Sequence, residues 1–120
     1  MKLFKCEICG NLVELIEEGK GTLVCCGQAM TKLEVNSEET KFEKHIPVIK
    51  KVNNGIEVTV GSVMHPMLEE HYIEWIALVT PNKITKVLLK PGESPVTRFE
   101  IEDDEYTVYA YCNIHGLYKA

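Results

Sequence analysis

Four cysteines crowd into the first 26 residues, as Cys6-Glu7-Ile8-Cys9-Gly10 and, with fifteen residues between, Cys25-Cys26-Gly27. A piece of about 35 residues cannot bury enough apolar surface to hold itself together without a staple. This piece has few apolar side chains to spend. Residues 11–16, NLVELI, read as a strand, Glu17-Glu18-Gly19-Lys20-Gly21 as a turn, and Thr22-Leu23-Val24 leads into the second cysteine pair. Two close pairs supply the corners of a tetrahedral thiolate site. The glycine after each pair lets the backbone curl so that amides point at sulfur. The adjacency of Cys25 and Cys26 distorts the tetrahedron relative to two C-x2-C knuckles. The competing reading, disulfides or unconnected buried thiols, suits a core-poor segment in a reducing compartment less well. Spacing does not separate zinc from iron. A closed four-thiolate site has no open position, so its role is structural or electron transfer.

The reducing compartment is itself an expectation. The start of the chain, MKLFKCEICG, has no apolar stretch of signal-peptide length, and no run approaches a membrane span. The cytoplasm is the default location, and no membrane partner is expected. The whole chain has 120 residues, 45% hydrophobic and 26% charged, which excludes wholesale disorder and allows one ordinary domain with a very small one attached. A net charge of −5 without a basic stripe argues against nucleic acid.

Residues 1–35 thus form a small metal-stapled unit, and the polar stretch 36–43, NSEETKFE, reads as a linker. Residues 44–120 read as all-β. Ile56, Val58 and Val60 alternate onto one face of a strand, and Tyr106, Val108, Ala110 and Cys112 onto one face of another. In HYIEWIALV, period-two alternation groups His71, Ile73, Trp75, Ala77 and Val79, while the opposite face is also mostly apolar, so this strand is covered on both sides. Lys83–Lys90, closed by Pro91-Gly92, and Val96–Ile101 complete a set of short strands with the spacing of a β-sandwich.

All four histidines and the fifth cysteine stand at predicted strand ends or loops of this second part: His45, His65, His71, Cys112 and His115. Strand ends of a sandwich cluster in space, so these segments can converge. Any one of them alone is better read as a loop histidine or a small buried thiol. All five together point to a metal site, since no histidine is left over elsewhere. Five donors exceed zinc's usual four and leave one position open on an octahedral ion. Four neutral imidazoles and one thiolate around Fe(II) give a net charge of +1, and the thiolate pushes electron density toward the opposite position. Lys44 beside His45 can draw an anion, and Glu43 can act as a weak ligand or move protons; each can equally be a solvated charge.

CEICG with LVCCG, EKHIPV, HPMLEEHYIEWI and CNIHGLYK together resemble the desulfoferrodoxin family, the two-iron superoxide reductases. The first part resembles desulforedoxin and the rest neelaredoxin, over essentially the whole chain. The resemblance implies two non-haem irons per chain: an FeS4 centre on Cys6, Cys9, Cys25 and Cys26, and a second iron with His45, His65, His71 and His115 equatorial and Cys112 axial. It implies an immunoglobulin-like sandwich for residues 44–120 and a homodimer. It makes Glu43 the loop glutamate that closes onto the iron, and Lys44 the lysine that attracts superoxide and helps protonation. The implied reaction is one-electron reduction of superoxide to hydrogen peroxide, with rubredoxin or a similar donor restoring the electron. The alternative is a non-catalytic electron carrier whose second site is structural zinc; a further rival, dismutation, would release oxygen.

Overall fold

In the computed structural model the described residues are 1–36, 42–102 and 104–120, with only the backbone given for Phe42 and Glu43. Most of the expected linker, residues 37–41, lies outside them. The chain divides into two compact units, Met1–Glu34 and Val35–Ala120. Among the described residues no helix is long and apolar enough to cross a membrane.

The first unit is held by short strands: β1 (Leu3–Lys5), β2 (Leu12–Glu14), β3 (Val24–Cys25), β4 (Gln28–Ala29) and β5 (Thr31–Lys32). They form a sheet of order β2-β1-β5 and a two-stranded ribbon β3-β4, all antiparallel. The strand expected over residues 11–16 is confined to Leu12–Glu14. Leu3 and Cys6 are this unit's buried apolar residues, whereas Ile8, Val13, Ile16 and Val24 are exposed. Apolar burial on that scale cannot offset the chain entropy of ordering the unit.

The second unit opens with one helical turn, α1 (Phe42–His45), followed by β6 (Pro47–Val52), β7 (Gly55–Val60), β8 (Ile73–Thr80), β9 (Lys83–Leu88), β10 (Val96–Glu100), β11 (Thr107–Cys112) and β12 (Gly116–Lys119). A three-stranded sheet, β10-β7-β6, faces a four-stranded one, β12-β11-β8-β9. These are the two antiparallel layers of an immunoglobulin-like sandwich. Ile56, Val58 and Val60 from β7, Phe99 from β10, Ile76 and Leu78 from β8, and Val108, Ala110 and Cys112 from β11 make the core between the layers.

Strand β8 departs from simple alternation. Tyr111 pairs with Trp75 but Cys112 pairs with Ile73, a bulge that leaves Glu74 without an opposite residue. The extra residue switches the facing of the strand. Ile73 therefore joins Ile76 and Leu78 in the core. Trp75 lies on the other face, its ring stacked on Tyr111 at 5.6 Å and 11°. The expected grouping of Ile73 with Trp75 and Ala77 fails at this point, while the expectation of apolar cover on both faces holds, since Trp75, Ala77 and Tyr111 are buried as well.

Register then fixes where the functional residues fall. Pro47 of β6 pairs with Val60 of β7, and Ile73 of β8 with Cys112 of β11. The β6 start, the β7 end, the β8 start and the β11–β12 turn all lie at one end of the sandwich.

Candidate metal centres

In the first unit each cysteine pair sits on a tight turn. The Cys6 knuckle is closed by Gly10 N–H donating to the Cys6 carbonyl at 2.9 Å, with Gly10 at φ +83°. The Cys9 backbone N–H points at Cys6 Sγ, 3.5 Å away. The second pair lies on a two-residue hairpin between β3 and β4, where Cys26 and Gly27 have φ of 53° and 76°. Two positive φ values in succession are the mark of a type I′ turn. This explains how adjacent cysteines serve one site: the left-handed residue swings Cys26 back beside Cys25.

The four sulfurs lie within 4.8 Å of one another, with Cys9 and Cys25 at 3.6 Å and Cys25 and Cys26 at 4.0 Å. Tetrahedral metal–sulfur bonds of ~2.3 Å place sulfurs roughly 3.8 Å apart, so the donor set fits a metal. All five cysteines of the chain are free thiols. Without a cation the cluster resists full ionisation. Donation from the Cys9 backbone holds the Cys6 thiol down at about 6, the crowding sulfurs of Cys9 and Cys6 push Cys26 up to about 12, and Cys25 is raised mainly by Cys6. A bound cation inverts that order by favouring every thiolate at once.

In the second unit His45, His65, His71, Cys112 and His115 each offer a donor atom, and these atoms also lie within 4.8 Å of one another. His45 ends α1, His65 and His71 come from the β7–β8 connection, Cys112 ends β11, and His115 is the last residue of the three-residue β11–β12 turn. Gly116 closes that turn at φ +90°, a backbone geometry that glycine adopts without strain. As in the first unit, the residue three positions on points its N–H at sulfur: His115 N–H to Cys112 Sγ at 3.4 Å. The bulge in β8 sets Ile73 opposite Cys112, whose thiol is wholly buried.

The donor atoms crowd with no proton arrangement that satisfies them all. His45 Nε2 lies 3.0 Å from both His65 Nε2 and His115 Nδ1. His71 Nε2 is buried with no hydrogen-bond partner among the described residues. A buried orphaned imidazole nitrogen aimed into such a cluster fits a metal ligand better than a packed side chain. His65 Nδ1 donates to the Pro66 carbonyl at 2.7 Å, which leaves Nε2 as the lone-pair donor facing the cluster. Burial brings the His65 imidazole down to about 4, so it is neutral at pH 7. His45 and His65 are buried, whereas His71 and His115 are half-buried and leave one side of the cluster toward solvent. Lys44 is exposed beside His45. The side chain of Glu43 lies outside the described residues.

Residues that sequence reasoning passed over surround this cluster. Asn113 Oδ1 accepts from the Tyr72 backbone N–H at 2.9 Å, and its amide donates to the Glu70 carbonyl at 3.1 Å, fixing the segment that carries His71. The Tyr118 ring stacks on His45 at 4.5 Å and 22°. Asn36 reaches both Tyr118 and the His115 carbonyl. Asn113 and Tyr118 sit inside the CNIHGLYK segment, but nothing in a polar tract marks Asn36.

Comparison with known proteins points the same way. Residues 37–120 match the family "Desulfoferrodoxin", and residues 1–33 match "Desulfoferrodoxin, N-terminal domain". A desulfoferrodoxin homolog of Archaeoglobus fulgidus is 47% identical over 120 residues, 100% of this chain and 96% of the relative. The desulfoferrodoxin of Nitratidesulfovibrio vulgaris is 48% identical over 119 residues, 99% of this chain and 94% of the relative. The crystal structure of the superoxide reductase from Treponema pallidum superimposes with a TM-score of 0.78 at 29% identity, covering 100% of this chain and 98% of that one.

Proposed function

The chain belongs to the desulfoferrodoxin family, and from that premise we propose that it is a superoxide reductase, converting superoxide to hydrogen peroxide with one electron and two protons. The observation that carries this reading is the cluster of four imidazoles and one thiolate at one open end of the sandwich. Five donors exceed what zinc uses and leave one octahedral position for a small ligand. When bound there, iron supplies the electron, and the Cys112 thiolate makes it a stronger donor.

The chain's own groups do the rest. His45, His65, His71 and His115 serve as neutral ligands, and the depressed basicity of His65 keeps protons from competing for its site. Burial of Cys112 shields the thiolate from solvent protons. Lys44 presents a local cation that draws an anionic substrate to a chain whose net charge is −5. Glu43, next to it in sequence, is assigned to closing the site and passing protons, on the support of the family resemblance. Cys6, Cys9, Cys25 and Cys26 hold the other iron, which staples the first unit. Re-reduction is assigned to a small one-electron donor of the rubredoxin kind. A homodimer in the cytoplasm is the setting we assign; five free thiols suit that reducing compartment.

A pulse of superoxide on the reduced, iron-loaded protein tests the reading. A ferric-thiolate absorption band should grow at near-diffusional speed, with peroxide formed and no oxygen. Oxygen release would make the protein a dismutase instead. Superoxide decay at the background rate with no band would leave the electron carrier with a closed second site.

A further inference from the structure

Resting on the reading of the His4Cys cluster as an iron site, we infer that Asn36 and Tyr118 are positioning residues: a clasp that sets how His45 and His115 present their nitrogens to the metal. The amide nitrogen of Asn36 donates to the His115 carbonyl at 3.0 Å and to the Tyr118 hydroxyl oxygen at 2.9 Å. Its backbone is fixed independently, since Asn36 N–H donates to the Leu117 carbonyl at 2.7 Å and Val35 bridges to Leu117. One side chain therefore governs two ligands. It holds His115 through the turn that carries it, and His45 through the ring of Tyr118 stacked on it.

The need for such a clasp is physical. Rotation of an imidazole about its last side-chain bond is soft, so its plane must be fixed by something outside the metal. His65 gets this from the Pro66 carbonyl. On His45 the Tyr118 ring is stacked, and Tyr118 is 1% exposed, so one face of that imidazole is held within the protein. His45 Nε2 and His115 Nδ1 lie 3.0 Å apart, so the two ligands governed by Asn36 are neighbours in the cluster, and a shift in either moves the other's share of the ligand field.

The test uses the full, iron-loaded chain. Asn36→Ala removes the donor to both partners; Tyr118→Leu removes the stacked ring; Tyr118→Phe keeps the ring and removes the hydroxyl that accepts from Asn36. The readouts are the ferric-thiolate band, the rhombicity of the ferric electron paramagnetic resonance signal of the His4Cys iron, and the rate of iron loss to a chelator. The FeS4 signal serves as an internal control. Asn36→Ala and Tyr118→Leu should shift band and rhombicity and speed iron loss about tenfold, with the FeS4 signal unmoved. Tyr118→Phe should move them in the same direction by less. If Tyr118→Leu does not fold, Asn36→Ala at its half-buried position decides the matter. Wild-type band, rhombicity and iron retention in Asn36→Ala would overturn the clasp, whatever the melting temperature does. Failure of the wild-type chain to hold a five-donor iron would overturn both the clasp and the reading of the cluster beneath it.

Discussion

His65 carries its proton balance in its surroundings. Burial disfavours the charged imidazolium and takes the group down to about 4, below the 6.5 of an unburied histidine. In the metal-free protein the unfolded chain therefore binds the proton more readily between those two values. Stability is fully present above about pH 6.5, declines as pH falls toward 4, and is flat in this group below that. Urea midpoints of the apoprotein should fall from pH 7 to pH 4.5, and His65→Gln should flatten the decline; an unchanged slope in that variant would reject the assignment. Lys44 makes a different kind of contribution, felt before any contact. Lys44→Ala should slow the bimolecular step with superoxide about tenfold at low ionic strength and weaken its salt dependence. A rate equal to wild type there would remove Lys44 from the steering of substrate. At this scale the sequence was informative about donors and silent about supports. Cysteines and histidines announce their chemistry by type, so all nine candidate ligands are legible in the sequence. Asn36 could not, because an asparagine in a polar tract looks the same whether it is solvated or hydrogen-bonded 82 residues away to Tyr118.

Turns and a bulge aim the ligands, and they differ in how plainly sequence declares them. Gly10, Gly27 and Gly116 take positive φ beside cysteine or histidine ligands, and each stands out in the chain as a glycine following a ligand. The β8 bulge has no such marker. It depends on the pairing of Ile73 and Trp75 with consecutive residues of β11, a long-range register that local alternation does not contain. Alternation therefore ran correctly through β7 and β11 and failed at Ile73. The end of the sandwich away from the ligands offers a control. A Cβ on Gly55 would clash with the Phe99 carbonyl oxygen of β10, a backbone atom that cannot swing aside. Gly55→Ala should cost about 1–3 kcal/mol in urea unfolding by forcing β10 from β7. It should leave the ferric-thiolate band where it is, because Gly55 begins the strand whose far end leads to His65. A shifted band would show that the two ends of the sandwich are coupled.

The two units earn their stability by different means. Val35–Ala120 has a core drawn from both sheets, with Val58, Val60, Ile73, Ile76 and Val108 fully buried, so its apolar burial does not rest on a metal. Met1–Glu34 buries Leu3 and Cys6 and little else, so its folding free energy is drawn from the metal bound by its thiolates. Cys9 separates these dependences, because its side chain is exposed and its loss leaves no cavity. Cys9→Ala should weaken metal binding in the first unit, and the amides of Met1–Glu34 should then exchange hydrogen at rates close to those of an unfolded chain. The His4Cys iron should keep its ferric-thiolate band and react with superoxide within twofold of the wild-type rate. Continued protection of the first unit without its metal would show that strand pairing alone holds it. Loss of the superoxide reaction would show that the second site depends on the first. If the reaction persists but re-reduction by an external donor slows, the thiolate centre relays electrons; if both are unchanged, its contribution is to the folding of the unit that carries it.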